Sequence, residues 1–276
     1  MFEQFFQIGE NWIDKEQYAF QLGDAILFLC FLIFVLYLFV FAIYSKRKPQ
    51  YNYPTAKKKY RFAVLFPAYQ EDEVIIDSVK NFLVQEYPRE RYDIIVISNQ
   101  MRQDTIDNLK ALSAKVVKMD SPQSTKIEAL KEAIHYIEKG DIKYDNVVIL
   151  DADNIVKPSY LEKINDALYA GCSALQTHRV AKNRDSNIAV LDSVSEEINN
   201  SIFRKGHTRL GFSSALSGSG MAFEYELFKD IIQECHDIGE DKYMERKLLL
   251  QNVYIEYLEE VYTYDEKVRG KRDFYN

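Results

Sequence analysis

Twenty consecutive residues from Ala25 to Tyr44, AILFLCFLIFVLYLFVFAIY, carry no charge. At 1.5 Å per residue such a run covers roughly the 30 Å hydrocarbon core of a bilayer. A lipid-embedded backbone must satisfy its own hydrogen bonds, so the segment is predicted to be a transmembrane helix. A cleaved signal peptide would need a basic n-region, a shorter apolar stretch and a small-residue cleavage site, and none of these is present. The preceding residues carry mainly acids (Glu3, Glu10, Asp14, Glu16, Asp24), whereas Lys46, Arg47, Lys48, Lys57, Lys58, Lys59 and Arg61 follow the run with no acid among them. Positive charge is retained on the cytoplasmic side. The expectation is a single-pass cell-membrane protein with residues 1–24 outside, a span at 25–44, a basic juxtamembrane linker at 45–60 and one cytoplasmic domain at 61–276.

That domain is long enough to bury a core of its own. The chain carries a net charge of −7 despite its basic linker. The soluble body is therefore acidic, which argues against a nucleic-acid partner, and the linker is expected to face anionic membrane lipid. Three cysteines, one of them (Cys30) inside the apolar run, and four scattered histidines give neither a disulfide framework nor zinc-ligand spacing.

Strands and helices alternate along the domain. Arg61 to Phe66 reads as a strand stopped by Pro67, and Glu71 to Gln85 as a helix with Val74, Ile75, Val79, Phe82 and Leu83 on one face. Asp93 to Ile97 reads as strand, Thr105 to Leu112 as helix and Lys115 to Met119 as strand. A helix from Thr125 opens with a capping box to Glu128 and stops at Gly140. The apolar run Asn146 to Leu150 is a buried strand that ends on Asp151-Ala152-Asp153. Beyond it the pattern predicts a helix at Pro158 to Tyr169, a strand at Ala174 to Val180 and a long helix at Ser186 to Arg204. A turn at Ser217-Gly218-Ser219-Gly220 precedes a strand and helix over Met221 to Gln233, and Gly239-Glu240-Asp241 opens a last helix. This order implies an α/β fold with a mostly parallel sheet and right-handed crossovers. Ligands of such sheets bind at the carboxyl ends of the strands, where Asp151 and Asp153 stand. Hard carboxylate oxygens there suit Mg²⁺ or Mn²⁺.

Four motifs in this order resemble those of the membrane-associated family-2 glycosyltransferases, which are inverting enzymes of the GT-A fold, and the resemblance covers about Arg61 to Val268. Pro67-Ala68-Tyr69-Gln70-Glu71 is similar to the family's Pro-x-Tyr-Asn-Glu, which holds the donor's base. Lys126, in Ser124-Thr125-Lys126-Ile127-Glu128-Ala129-Leu130, matches the lysine of Gly-Lys-x-x-Ala-Leu. A lysine on a helix's first turn adds its charge to free backbone N–H groups, a plausible diphosphate site. Asp151-Ala152-Asp153 is similar to the Asp-x-Asp motif, which implies Asp151 on the nucleotide and Asp153 on the metal. Gly239-Glu240-Asp241 resembles the Gly-Glu-Asp segment whose last acid is the general base, implying that role for Asp241 with Glu240 beside the substrate. Gly218, Ser219 and Gly220 resemble the small-residue segment lining the sugar pocket. The resemblance thus implies a nucleotide-sugar donor and a saccharide or lipid-linked acceptor, in cell-surface polysaccharide or glycoconjugate synthesis.

Two departures stand out. The family commonly places an acidic pair at the end of the second strand, where this chain has Ile97-Ser98-Asn99-Gln100, so Asn99 would meet the base with an amide that both donates and accepts. Membrane polysaccharide synthases of the family also carry Gln-x-x-Arg-Trp after a segment like Val261 to Val268, whereas the one tryptophan here is Trp12. That absence argues against a complete processive synthase: the chain is either truncated or a short relative lacking the element, and a catalytically silent membrane-anchored partner subunit is a competing reading. A haloacid-dehalogenase-type phosphatase would make Asp151 a nucleophile, but it wants its acids on the first strand and Thr or Val where Ile155 stands.

Overall fold

The computed structural model describes residues 2–48, 53–119, 121, 124–236 and 239–267, with side chains from residue 17 onward. Met1, Pro49 to Asn52 of the linker, and the stretch from Val268 to Asn276 that was expected to complete the domain lie outside the described residues. Helix α1 runs unbroken over Phe2–Tyr44, well beyond the uncharged run. Its Gln17–Tyr44 portion spans 28 residues, long and apolar enough to cross a membrane, and its most apolar stretch has a mean hydropathy of 3.2 with 6% buried.

The first half of the domain follows the apolar pattern closely. Strand β1 (Phe62–Tyr69), helix α2 (Ile75–Phe82), β2 (Tyr92–Asn99), α3 (Gln103–Ala111), β3 (Lys115–Met119), α4 (Lys126–Glu138) and β4 (Asn146–Ile149) follow in turn. β1 pairs in parallel with β2 and β4, and β2 with β3. Side chains of period two divide between the sheet's faces. Phe62, Val64 and Phe66 join Val79 and Phe82 in one core cluster, while Ala63 and Leu65 join Leu130 and Ile134 in another. Burying each such side chain is worth about 1.5–3 kcal/mol, which fixes the register of these strands. The capping box on α4 forms as expected: Thr125 Oγ1 accepts from Glu128 N (3.3 Å) and Glu128 Oε2 accepts from Thr125 N (2.8 Å). Helix α2 is shorter than its apolar spacing predicts, because Glu71 to Val74 form a turn in which the Glu71 carbonyl accepts from Val74 N and Ile75 N.

The second half departs further. It comprises β5 (Ile155–Val156), α5 (Tyr160–Tyr169), β6 (Ala174–Ala181), α6 (Asn187–Asn199), a π-helical segment (Asn200–Gly206) leading into α7 (His207–Arg209), β7 (Met221–Glu224), α8 (Tyr225–Glu234), α9 (Glu240–Leu250) and β8 (Ile255–Asp265). The sheet order is β3-β2-β1-β4-β7-β6-β8-β5. β7 is antiparallel to β4 and β6, β8 is parallel to β6, and β5 is antiparallel to β8, so parallel pairs outnumber antiparallel ones. The long helix expected over Ser186 to Arg204 is broken by the π segment, and strand β8 was not anticipated.

Part of the basic stretch pairs with acids of the domain. Lys59 pairs with Glu162, Lys58 Nζ lies 3.6 Å from Asp145 Oδ1, and Arg61 Nη2 lies 3.1 Å from Asp93 Oδ2. Acids on the domain surface claim these charges, leaving Lys46, Arg47, Lys48 and Lys57 exposed. The domain also seats directly on α1. Ser201 Oγ donates to Ser45 Oγ (2.9 Å), Tyr37 Oη and His207 Nε2 are 2.7 Å apart, and Gly206 lies so close to Phe41 that a Cβ there would stand 2.5 Å from the Phe41 carbonyl oxygen.

Candidate active site

The carboxyl ends of β1, β2 and β4 open onto a cleft of ≈ 230 Å³. Pro67, Ala68, Tyr69, Glu71, Asn99, Lys126, Asp151 and Asp153 all line it, so residues picked from four separate stretches of sequence converge on one site. At the β2 end, the Asn99 side chain donates through Nδ2 to Ser124 Oγ, while its buried Oδ1 has no partner among the described residues. Gln70 and Gln100 flank this end with positive φ (56° and 53°), and Gln70 Nε2 donates to Gln100 Oε1 at 2.6 Å.

Lys126 is the centre of charge. Its Nζ lies 2.5 Å from Asp151 Oδ1 and 3.4 Å from Glu240 Oε1, and donates to the Gly218 carbonyl at 2.8 Å. Burial opposes the charge on Lys126, but Asp151 and Glu240 outweigh it and raise its pKa above the ordinary lysine value. Asp151 is the reciprocal case: burial works against its charge, and Lys126 prevails to hold its pKa below the ordinary range. Glu71 is pushed upward by burial and by the Asp151 charge. The cluster joins α4, β4, the glycine turn and α9, four elements from both halves of the sheet.

Asp153 is in a different electrostatic setting. Burial and the neighbouring Asp265 push its carboxyl up to about 6, although the Glu266 N–H donates to its Oδ2 at 2.9 Å. Asn154, 1% exposed, ties the acids in place: its Oδ1 accepts from Asp151 N (3.0 Å) and from Ser219 Oγ, and its Nδ2 donates to Asp153 Oδ1 (3.0 Å). Ser219 is fully buried, so its hydroxyl braces the turn from below while Gly218 faces Lys126 and Glu240. Gly220 (φ +66°) has no room for a side chain, since a Cβ would stand 2.4 Å from Thr177 Oγ1. Asp241 sits in the first turn of α9, with Oδ1 accepting from Lys242 N at 2.8 Å; its neighbour Glu240 is the one that reaches Lys126.

Sequence reasoning missed Asn154, Arg179 and Asp265. Arg179 Nη2 donates to Asp265 Oδ2 at 2.5 Å and its Nη1 to the Ser217 carbonyl at 3.1 Å, linking β6, β8 and the glycine turn behind Asp153. Asn154 could have been noticed as an amide directly after the two acids, a residue type that bonds its own turn. Arg179 and Asp265 lie far apart in sequence on strands whose pairing no local pattern reveals.

No group of three or more His, Cys, Asp or Glu among the described residues could hold a metal unaided. The donor set nevertheless fits a hard divalent cation. A mostly buried carboxylate crowded by other acids gains from a cation, and Mg²⁺-type sites commonly use one or two carboxylates with substrate phosphates and water completing the shell.

Comparison with solved structures gives the same fold. The mannosyltransferase PcManGT from Pyrobaculum calidifontis, in complex with GDP-Man and Mn²⁺, superposes with a TM-score of 0.65 at 18% identity, over 84% of this chain and 64% of that one. S. aureus TarS 1-349 in complex with UDP-GlcNAc gives 0.57 at 16%, over 76% and 60%. Glucosyl-3-phosphoglycerate synthase from Mycobacterium tuberculosis, in complex with Mn²⁺, UDP and glucosyl-3-phosphoglycerate, gives 0.53 at 16%, over 83% and 80%. The chain thus spans somewhat under two thirds of the first two. No curated protein matches by sequence. The family profile described as glycosyltransferase like family 2 matches residues 60–273, which takes in the whole cleft and every strand of the sheet, and the chain belongs to that family of nucleotide-sugar transferases.

Proposed function

We propose that this chain is a membrane-anchored, metal-dependent, inverting glycosyltransferase that works at the cytoplasmic face on a saccharide or lipid-linked acceptor in cell-surface polysaccharide or glycoconjugate synthesis. The observation that carries the reading is the Lys126 cluster, a half-buried cation held by Asp151, Glu240 and the Gly218 carbonyl at the mouth of three parallel strands. A diphosphate entering the cleft offers Lys126 a stronger partner than these groups. The base lies against Pro67, Ala68 and Tyr69, where the unpartnered Asn99 Oδ1 can accept a base N–H.

Asp153 would hold Mg²⁺ or Mn²⁺, the latter present in the PcManGT and glucosyl-3-phosphoglycerate synthase complexes. Such an ion would neutralise charge on the leaving diphosphate. Asp151 takes the nucleotide side, and Gly218, Ser219 and Gly220 shape the sugar pocket with Glu240. Asp241 is the general base that takes the proton of the attacking acceptor hydroxyl, so that one in-line displacement inverts the anomeric carbon. Orientation follows from Lys46, Arg47 and Lys48 just after α1, against the acids of its N-terminal part, Glu3, Glu10, Asp14, Glu16 and Asp24.

Two variants separate the roles. Asp153→Asn is expected to abolish Mn²⁺-dependent binding of nucleoside diphosphate in calorimetry. Asp241→Asn should bind like the parent yet lose transfer by about 10²–10⁴-fold. If both variants bind and turn over donor like the parent, the assignment is wrong.

A further inference from the structure

Helix α6 is inside out for a helix in water. Its outward stripe consists of Val190, Leu191, Val194 and Ile198, exposed by 42%, 65%, 51% and 50%. These lie at i, i+1, i+4 and i+8, one face of a helix. Its inward face carries Ala189, Ser193 and Glu196, and the π segment adds Asn200 and Arg204. Arg204 Nη1 donates to Glu196 Oε1 at 2.7 Å, and Lys267 Nζ lies 3.6 Å from Glu196 Oε2. Water would reward the opposite arrangement, with the charges hydrated and the four aliphatic side chains covered. The residues suit an apolar medium on the outer side.

The surroundings say which medium. Val190, Val194 and Ile198 form one wall of a groove whose other wall includes Ala42 of α1. Phe212, 57% exposed, packs its ring 6.0 Å from that of Phe41. The apolar surface of α6 thus shares one groove, which Arg184, Glu197 and Ser201 also line, with the end of the one described helix apolar enough to cross a membrane. Exposed bases rim the same place: Lys46, Arg47 and Lys48 follow α1, and Lys182 and Arg184 precede α6. An apolar helix face beside a span, bordered by Lys and Arg, matches the acyl–headgroup boundary of an anionic bilayer.

We propose that the outer face of α6 is a membrane-docking surface, seated in the headgroup boundary of the bilayer that α1 crosses. This rests on the reading of α1 as a span. The inner face of α6 then looks from the membrane toward the cleft, through Glu196, Lys267 and Asp265 to the region of Asp153. The acceptor side of the site is thereby held against the lipid surface.

Tryptophan fluorescence in vesicles of brominated anionic lipid tests this with the full chain. Trp12→Phe removes the single native tryptophan, and Leu191→Trp, Val194→Trp, Phe34→Trp and Tyr136→Trp each report one place. Leu191→Trp and Val194→Trp should lose fluorescence most to bromines near the headgroup, Phe34→Trp most to bromines deep in the chains, and Tyr136→Trp to neither. Quenching of Phe34→Trp without quenching of either α6 probe overturns the docking surface and leaves the anchor intact, whether water or a partner protein covers the helix. Equal quenching of Tyr136→Trp also overturns it. If no probe is quenched, the span itself fails and the docking surface with it.

Discussion

Strands β1, β2 and β4 enclose Phe, Val, Ile and Leu on both faces, whereas β6, β8 and helix α6 enclose Arg179, Arg204, Glu196, Asp265 and Lys267, each with a side chain 16% exposed or less. Burial works against the charge on Glu196, but Arg179, Arg204 and Lys267 outweigh it and hold its pKa below the ordinary glutamate value. One half of the sheet is kept in place by apolar area, and the other adds paired charge to apolar residues such as Leu175, Phe223, Ile255 and Leu258. The difference has a chemical use. The apolar half positions the cleft at the ends of β1, β2 and β4, and under the proposed function the charged half surrounds the acids that a diphosphate and a cation would engage.

Four substitutions sharpen this contrast, from the largest expected effect to the smallest. Arg204→Ala should destabilise the chain by about 3–5 kcal/mol, because it removes the hydrogen-bond donor to Glu196 Oε1 and Asn200 Oδ1 in the interior and leaves Glu196 with Lys267 at 3.6 Å, and denaturant unfolding in detergent would record it. A loss under about 1 kcal/mol, the size of a surface pair, would mean that water already reaches this network. In the apolar half, Leu130→Ala removes a fully buried side chain and should cost about 2–5 kcal/mol with no change in how stability varies with salt or pH. Asn154→Ala should leave stability closer to the parent but weaken Mn²⁺-dependent diphosphate binding about 10–100-fold in calorimetry, since the amide orients Asp151 and Asp153.

The smallest effect belongs to Asp93, which accepts from Tyr144 Oη at 2.8 Å and from Arg61 Nη2 at 3.1 Å. Burial raises its pKa, but Tyr144, Arg61 and Lys115 outweigh burial and leave it below the ordinary aspartate value. Its contribution is therefore present above the unfolded pKa, near 4, and lost as pH falls through the lower folded value. Asp93→Asn should cost about 0.5–1 kcal/mol at neutral pH, and its unfolding midpoint should converge on the parent's below about pH 4. A gap that widened on acidification would reverse the sign of this argument.

What was legible in the sequence follows the same division. β3 spans the five residues its apolar pattern marks, and the α4 cap and the β4 run were readable because local propensity and burial agree there. The cleft residues from Pro67 to Asp153 could be named because each closes or opens an element whose boundary is set by its own sequence. β8 escaped because its burial alternates with Glu and Tyr at many positions and its partner β6 lies some eighty residues earlier, with a register shift between Thr177 and His178. The π segment escaped because Asn200 to Gly206 differ little from an ordinary helix in composition; they pack against α1, which no local pattern reveals. Arg179 and Asp265 were invisible for the reason that makes them matter, since they acquire meaning only when β6 and β8 pair.

Gly206 leaves no slack between anchor and enzyme. With the Phe41 carbonyl within 2.5 Å of where a side chain would begin, the domain is bolted to α1 rather than hung from it. The cleft therefore has a fixed height and heading relative to the helix axis. Under the proposed function, a polypeptide tether would sweep a volume, whereas a joint of this kind would keep the cleft at one level, and an acceptor hydroxyl would be within reach only if its carrier presents it there.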